Sequence, residues 1–257
     1  MKKLKHLLYL LILETLIVAP LQAQEKSILK SVDHFGIGLE SYYYNNSFEK
    51  DGTYSFSLEG YKHGISLTGT KTIGEYLYLH TDLKYSFGNI SFKDSSSKEE
   101  SLPETMYEAR LLVGIEFVKD KNLLSPFIGI GYRTLYNDFQ NIDGTHHEGK
   151  YTYIPVGVTH RFALNPTACI STSLEYDYFI KGELKNDNAT YKQNDSFGFR
   201  IKSAYQKREL SIGLFFLYTD IAKSDTQTYT TSSATYTNWI KKNNTKEFGF
   251  EIKYFFN

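Results

Sequence analysis

The sequence predicts an all-β protein, a transmembrane up-and-down antiparallel β-barrel of about ten strands, with eight strands as the alternative. Three observations support this prediction. Ten segments alternate apolar and polar residues with a period of two, which is typical of strands with two different faces. The connections alternate between short turns and long polar segments. The chain is also rich in aromatic residues, with 22 tyrosines and 18 phenylalanines but only five prolines.

The N-terminus predicts a cleavable signal peptide over residues 1–23. Three lysines precede a short apolar run, and Ala23 is a small residue at the predicted cleavage position. A retained helical anchor is the rival interpretation, but the run is short for a membrane span and is interrupted by Glu14. Residues 24–257 are predicted to form one outer-membrane barrel domain, because no linker divides them.

Ten alternating segments follow one another along this domain. The first five are expected at about residues 34–44, 60–72, 76–90, 106–118 and 126–137. The other five are expected at about residues 151–164, 168–180, 196–205, 210–219 and 246–256. Most have the roughly 9–11 residues, or somewhat more, that a tilted strand needs to cross a bilayer.

The connections predict which end of the barrel faces outward. Short turns are expected near residues 73–75, 119–124, 165–166 and 206–208. Five long external loops are expected at residues 45–59, 91–105, 138–150, 181–195 and 220–245. The last loop is rich in Thr, Ser and Tyr and holds Trp239, the only tryptophan. It could contact a surface ligand, because Tyr and Trp supply contact area at low entropic cost, or it could be a solvated hairpin tip.

The composition excludes some classes of partner and site. The chain has 29 basic and 29 acidic residues, so it lacks the positive charge that nucleic-acid binding requires. A single cysteine, Cys169, excludes an intrachain disulfide and a CxxC metal site, and it is predicted to be an inert thiol. No cofactor is expected.

The chain ends in a strict alternation of large apolar residues, namely Phe248, Phe250, Ile252, Tyr254 and Phe256. This ending resembles the C-terminal signal that the outer-membrane insertion machinery reads in barrel proteins, although here Asn257 follows the last aromatic residue. The resemblance implies that the insertion machinery and periplasmic chaperones are partners during biogenesis.

Two further segments carry a family resemblance. Residues 125–133 (SPFIGIGYR) and residues 153–158 (YIPVGV) resemble the small porin-like outer-membrane β-barrel proteins of proteobacteria. Residues 38–40 (GLE) followed by 42–44 (YYY) are similar to the first strand of such proteins. The resemblance implies the outer membrane of a Gram-negative cell, with membrane lipid around the barrel. It specifies an architecture and no activity.

If the apolar stripes face lipid, the residues between them face the lumen. The predicted lumen residues comprise seven acids, seven bases and one histidine: Glu40, His80, Asp82, Lys84, Glu108, Arg110, Glu116, Arg133, Arg161, Glu175, Asp177, Arg200, Lys202, Glu251 and Lys253. Charges at membrane depth must be paired or hydrated. Equal numbers of both signs predict an ion-pair network that plugs the lumen, and a narrow water-filled channel is the alternative.

Two groups of residues are candidate chemical sites. His80 and Asp82 lie on one face of one strand and could orient a catalytic base, but no serine in a recognisable nucleophile motif accompanies them. A role in the lumen hydrogen-bond network is favoured. Residues 143–148 contain Asp143, His146, His147 and Glu148, which have the chemistry of zinc or copper ligands. Adjacent histidines in a loop are more often solvated, so no metal is expected.

The favoured function is a non-enzymatic barrel of structural or surface-interaction type at the cell surface, with a largely plugged polar lumen. A narrow porin-like channel is the first alternative. A lipid- or peptide-modifying outer-membrane enzyme is the second.

Overall fold

The computed structural model describes residues 28–50, 53–94, 99–139, 145–187, 189–193, 195–230 and 235–256. The predicted signal peptide and Asp143 lie outside the described residues. Within these ranges, no helix has the length and apolar character needed to span a bilayer.

The described chain forms fourteen strands. In order, they are β1 (His34–Lys50), β2 (Thr53–Ile73), β3 (Leu77–Asp94), β4 (Glu99–Ile115), β5 (Phe117–Lys119), β6 (Asn122–Phe139), β7 (Thr145–Asn165), β8 (Ala168–Lys185), β9 (Thr190–Lys192), β10 (Phe197–Lys207), β11 (Leu210–Ile221), β12 (Gln227–Thr230), β13 (Thr235–Asn238) and β14 (Asn243–Phe256).

The ten strands of eleven or more residues form one closed antiparallel barrel. Each pairs with the next long strand along the chain, and β14 pairs with β1 to close the ring. The predicted fold class is therefore confirmed, with ten strands and not eight. The short strands are accessories: β5 continues the line of β4 along β6, β9 pairs with the end of β8, and β12 pairs with β13 in a separate hairpin.

Alternation along β1 shows how the sequence forms a wall with two faces. Leu39 is 62% exposed on the outside, whereas Tyr42 on the inside is 1% exposed. The outward apolar stripe runs from Phe35 to Tyr43, and these two residues pair with Phe256 and Phe248 of β14. Eight residue steps span about 26 Å along a strand. A tilt of about 40° reduces this to a height of about 20 Å, close to the apolar band of a membrane barrel.

Aromatic rings border this band at both ends. At one end, Tyr43 contacts Tyr61 with ring centroids 5.6 Å apart, and Tyr107 contacts Tyr136 at 6.2 Å. At the other end, the rings of Phe35 and Phe256 stack at 6.1 Å. Such girdles are characteristic of membrane barrels, where aromatic rings lie at the two interfaces.

The short turns and the two strand ends His34 and Phe256 lie at one end of the barrel, as the sequence predicts. Three of these turns need a left-handed backbone, which is supplied by Gly74 at φ 68°, Asp120 at φ 52° and Arg208 at φ 52°.

The prediction of the long loops is wrong in extent. The strands continue well beyond the aromatic girdle and occupy part of each range predicted as a loop. In the first hairpin, Asn45 pairs with Glu59 and Asn46 pairs with Leu58 inside the predicted loop. The outward side chains here meet water and are polar, so the alternation of hydropathy fades while backbone pairing continues. The same extension occurs at the other four predicted loops, where strands occupy residues 91–94, 99–105, 145–150, 181–185 and 243–245.

Apolar side chains form two buried clusters in the extended half of the barrel. One buried cluster consists of Tyr42, Tyr44, Phe48, Leu58, Ile90, Leu102 and Phe139. A second consists of Tyr151, Tyr153, Phe179 and Ile221. The interior beyond the girdle is therefore a packed core, as in a soluble domain.

Candidate functional site

A cluster of ion pairs crosses the middle of the barrel interior, and we call it the central cluster. At its centre, Glu108 of β4 is 5% exposed and accepts hydrogen bonds from two arginines. Arg133 of β6 donates from Nε at 3.0 Å and from Nη2 at 2.9 Å. Arg200 of β10 donates from Nη2 at 2.7 Å and from Nη1 at 3.0 Å. The hydroxyl of the fully buried Tyr153 also donates, at 2.7 Å.

Arg200 extends the central cluster to β8. Its Nε donates to Asp177 at 2.8 Å and lies 3.2 Å from Glu175. Glu175 also pairs with Arg110 of β4. Strands β6, β7 and β8 separate β4 from β10 around the wall, so the Arg200–Glu108 bonds run across the lumen. The three acids and three arginines of the central cluster carry no net charge.

A second group of ion pairs connects β3 and β14 to the central cluster. Asp82 of β3 lies 3.7 Å from Arg110 and 3.9 Å from Lys253 of β14. Lys253 lies 3.6 Å from Glu251, which also pairs with Lys202. A separate ion pair connects β3 to β1, where the Nζ of Lys84 lies 2.6 Å from Oε1 of Glu40.

Beyond the central cluster lies an outer layer of buried charges, which the sequence pattern did not predict. The Nζ of Lys62 lies 2.5 Å from Glu104, and both side chains are completely buried. The same Nζ lies 4.8 Å from the ring centroid of Tyr44, and Glu104 also bonds to Asn137. Glu104 lies within the loop predicted at residues 91–105, and Lys62 lies near the start of the strand predicted at residues 60–72. Extending the inward parity of each strand past its apolar stripe would have found both.

A chamber of about 400 Å³ occupies the opposite half of the interior. We call it the turn-side chamber, because its rim includes the turn residues Pro166, Thr167, Arg208 and Glu209. Asp82, Arg110, Glu175, Lys202, Glu251 and Lys253 line its inner end. The chamber therefore stops at the central cluster.

The predicted His80–Asp82 pair is not a hydrogen-bonded pair. His80 Nδ1 lies 2.8 Å from the hydroxyl of Thr70, which also lies 3.3 Å from His34 Nε2. His34 donates from Nδ1 to the carbonyl oxygen of Val32 at 2.8 Å. Asp82 instead pairs with the cations described above. The structure thus places a hydroxyl between two imidazoles on the chamber wall.

The segment before β1 folds into the mouth of the chamber. The amide of Ser31 donates to both carboxylate oxygens of Glu116, at 2.9 and 3.1 Å. Arg161 donates to the carbonyl oxygen of Leu29 at 2.8 Å and lies 3.9 Å from Glu116. Leu29 is 4% exposed, so this segment is packed against the barrel wall.

Asp33 ends this segment outside the apolar band and attaches it to β2. Burial raises the pKa of the Asp33 carboxyl, but hydrogen bonds from Lys71 and Thr72 outweigh it and lower the pKa to about 2. The Thr72 amide and hydroxyl donate to Asp33 Oδ1 at 2.8 and 2.6 Å.

Each of the fifteen predicted lumen residues points to the interior, in an ion pair or on the chamber wall. The five residues of the predicted insertion signal point outward and are 44–57% exposed. Their role in insertion stays a prediction. Cys169 is buried.

The predicted histidine-rich site lies in a groove at the hairpin end. His146 Nδ1 lies 3.5 Å from Asp187, and its Nε2 lies 3.8 Å from Asp138. His147 stacks on the ring of Phe139. The two nitrogens of His146 therefore face two different carboxylates at ion-pair distances. No cluster suited to a metal ion occurs within the ranges that the structure describes.

Comparison with known proteins gives a fold and no family. No protein-family model matches the chain, and no curated protein matches it. The structure is similar to that of the outer membrane protease OmpT from Escherichia coli, with a TM-score of 0.54 at 9% identity, covering 91% of this chain and 100% of that one.

Two other solved structures have lower scores. The transport unit of the autotransporter AIDA-I from Escherichia coli has a TM-score of 0.47 at 13% identity, covering 93% of both chains. The outer membrane protein OprG from Pseudomonas aeruginosa has a TM-score of 0.43 at 10% identity, covering 88% of this chain and 97% of that one. At such identities the likeness concerns the fold, which is that of outer-membrane β-barrel proteins. The resemblance to porin-like proteins that the sequence suggests is not supported by a match to any family model.

Proposed function

We propose that this protein is a non-conducting outer-membrane barrel that serves as a surface scaffold, with its extended hairpins outside the cell. The observation that carries the proposal is the set of Arg200–Glu108 hydrogen bonds, which span the lumen between strands far apart on the wall. A ten-stranded barrel is only slightly wider than one that side chains fill, so a few crossing arginines suffice to block it.

A second closure lies further along the same path. The buried Lys62–Glu104 pair and the aromatic residues around it fill the interior beyond the central cluster. An ion that entered the turn-side chamber would have to displace two layers of paired charges. Each displacement leaves a buried charge without its partner, which is costly in a low-dielectric interior.

The architecture also supports an orientation. Membrane barrels of this type have short periplasmic turns and longer extracellular segments. The hairpins beyond the girdle would then face the outside, including the separate β12–β13 hairpin. Trp239 next to this hairpin is 41% exposed, and the Nζ of Lys223 lies 4.7 Å from its ring centroid. This is the surface that we assign to contact with an external ligand.

Planar-bilayer recordings test the closed lumen. The purified protein is expected to insert without steady current steps. The variant E108A/R200A/K62A/E104A, which removes both layers, is expected to conduct if it folds, as checked by heat-modifiable gel migration. Lys207→Ala, at the end of β10 and outside the lumen, is the control. Steady conductance by the unmodified protein would refute the proposal and favour the porin-like alternative.

The location and surface role need separate tests. Cell fractionation should recover the protein in the outer membrane, and external protease should cleave its hairpins. Cell-binding assays with and without residues 227–238 test the surface contact. The absence of enzymatic activity stays a prediction. Hydrolysis of lipid or peptide that is lost in Thr70→Val would contradict it.

A further inference from the structure

The turn-side chamber has the properties of a binding site, which a purely structural barrel does not need. It has a volume of about 400 Å³ and is reached from the end that carries the short turns. Its volume lies within the range of pockets that hold small molecules.

The charge on the chamber wall favours an anion. Six cationic side chains and four acidic ones line it, which gives an excess of two positive charges when the histidines are neutral. The excess lies nearer the mouth, among Lys30, Arg161, Arg208 and Glu209, because three acids and three cations balance at the inner end. An entering anion would therefore be attracted to the mouth of the chamber.

The acids on this wall are already engaged by cations. Asp82 lies near Arg110 and Lys253, and Glu251 pairs with Lys202. Glu175 pairs with Arg110 and lies 3.2 Å from Arg200. One oxygen of each of these three carboxylates makes no hydrogen bond among the described residues, but each of these oxygens lies within ion-pair distance of a cation.

The wall also carries hydrogen-bond donors that could reach a bound molecule. The Lys202 side chain is 37% exposed although it lies on the inward face, so its ammonium group reaches into the chamber. The hydroxyl of Thr68 is buried, with the residue 3% exposed, and has no hydrogen-bond partner among the described residues. Arg110 Nε also lacks a partner there. Buried donors without partners are costly, and a bound polar group would satisfy them.

We propose that the turn-side chamber binds a small oxyanion, a carboxylate or a phosphate, that enters from the periplasmic side. Lys202 would supply a charge-assisted hydrogen bond, and Thr68 with Arg110 Nε would supply further donors. The central cluster closes the far end, so the anion is held and not passed through the barrel. This inference goes beyond the scaffold function and does not depend on whether the barrel conducts.

Isothermal titration calorimetry on the purified full-length protein in detergent micelles tests the proposal. Sodium phosphate and sodium succinate are the anionic probes, at constant ionic strength, and glucose is the neutral probe. We expect saturable heat with at least one anion and none with glucose. A preference for phosphate or for succinate distinguishes a phosphorylated from a carboxylated natural ligand.

Matched variants locate the site. Lys202→Gln should raise the Kd by about ten-fold or more, because it removes a charged donor. Lys207→Gln removes the same charge five positions along β10, outside the chamber, and should leave the Kd unchanged. Thr68→Val, which nearly preserves shape, should also weaken binding. Absence of heat with both anions, or equal weakening by Lys202→Gln and Lys207→Gln, would overturn the proposal.

Discussion

Removing the charge of Glu108 perturbs the central cluster at the point where most of its bonds meet. Glu108→Gln preserves the shape of the side chain but replaces a carboxylate that accepts five hydrogen bonds from Arg133, Arg200 and Tyr153. The cluster changes from neutral to one excess positive charge. Breaking a buried ion pair by removing one partner costs about 3–5 kcal/mol, so we expect a loss of this size in the free energy of unfolding.

Urea unfolding of the protein in detergent or lipid vesicles measures this loss, and Glu75→Gln in the exposed turn after β2 is the control. The control should shift the free energy of unfolding by less than about 0.5 kcal/mol. The double variant E108Q/R133M restores the charge balance, so its loss should be smaller than the sum of the two single losses by about 1 kcal/mol or more. If Glu108→Gln cost less than about 1 kcal/mol, the central cluster would not be a buried, desolvated network.

Three further predictions concern packing, pH and assembly. Gly131→Ala should cost about 1–3 kcal/mol in urea unfolding, because its new methyl group meets the ring of Tyr153, whereas Gly69→Ala has nothing within 4 Å and should be near neutral. Equal losses would contradict the close approach. The folded pKa of Asp33 is about 2 against the usual 3.8, so its contribution to stability is present above pH 4 and is lost as the pH falls towards 2. Because the carboxylate is 42% exposed, we expect no more than about 1 kcal/mol, and Asp33→Asn should lack this pH dependence; an unchanged slope would refute the assignment. Phe256→Ser should lower the amount of barrel assembled in cells, while refolding of the variant in detergent should persist. Unimpaired assembly in cells would refute a role for Phe256 in the insertion signal.

The strands inside the apolar band could be predicted from the sequence, because side chains that face lipid are apolar and many that face the lumen are polar. Leu39 and Tyr42 of β1 illustrate this rule, since one is largely exposed and the other almost fully buried. Outside the band, water replaces lipid, so the outward side chains no longer need to be apolar and the alternation of hydropathy is lost. The sequence therefore predicts a loop from Asn45 to Glu59, although these two polar residues are paired in adjacent strands.

The candidate site, too, could be predicted only in part from the sequence. Parity along each strand was enough to predict that Glu108 and Arg200 face inward, because alternate residues of a strand point to opposite sides of the sheet. Parity cannot say which acid meets which base. The pairing of these two residues, 92 positions apart, and of Lys62 with Glu104 depends on how the wall curves and closes.

The sequence by itself determined the class of fold, a count of about ten strands and the inward or outward direction of most side chains, because these follow from local alternation and from the solvent on each face. Only the tertiary structure decided where the lumen is closed and where it is open. Closure brings β4, β8 and β10 within reach of one arginine in the middle of the barrel, while smaller side chains leave a chamber at the turn-side end. These distances across the lumen arise from the curvature of the whole sheet, and no local pattern in the chain encodes them.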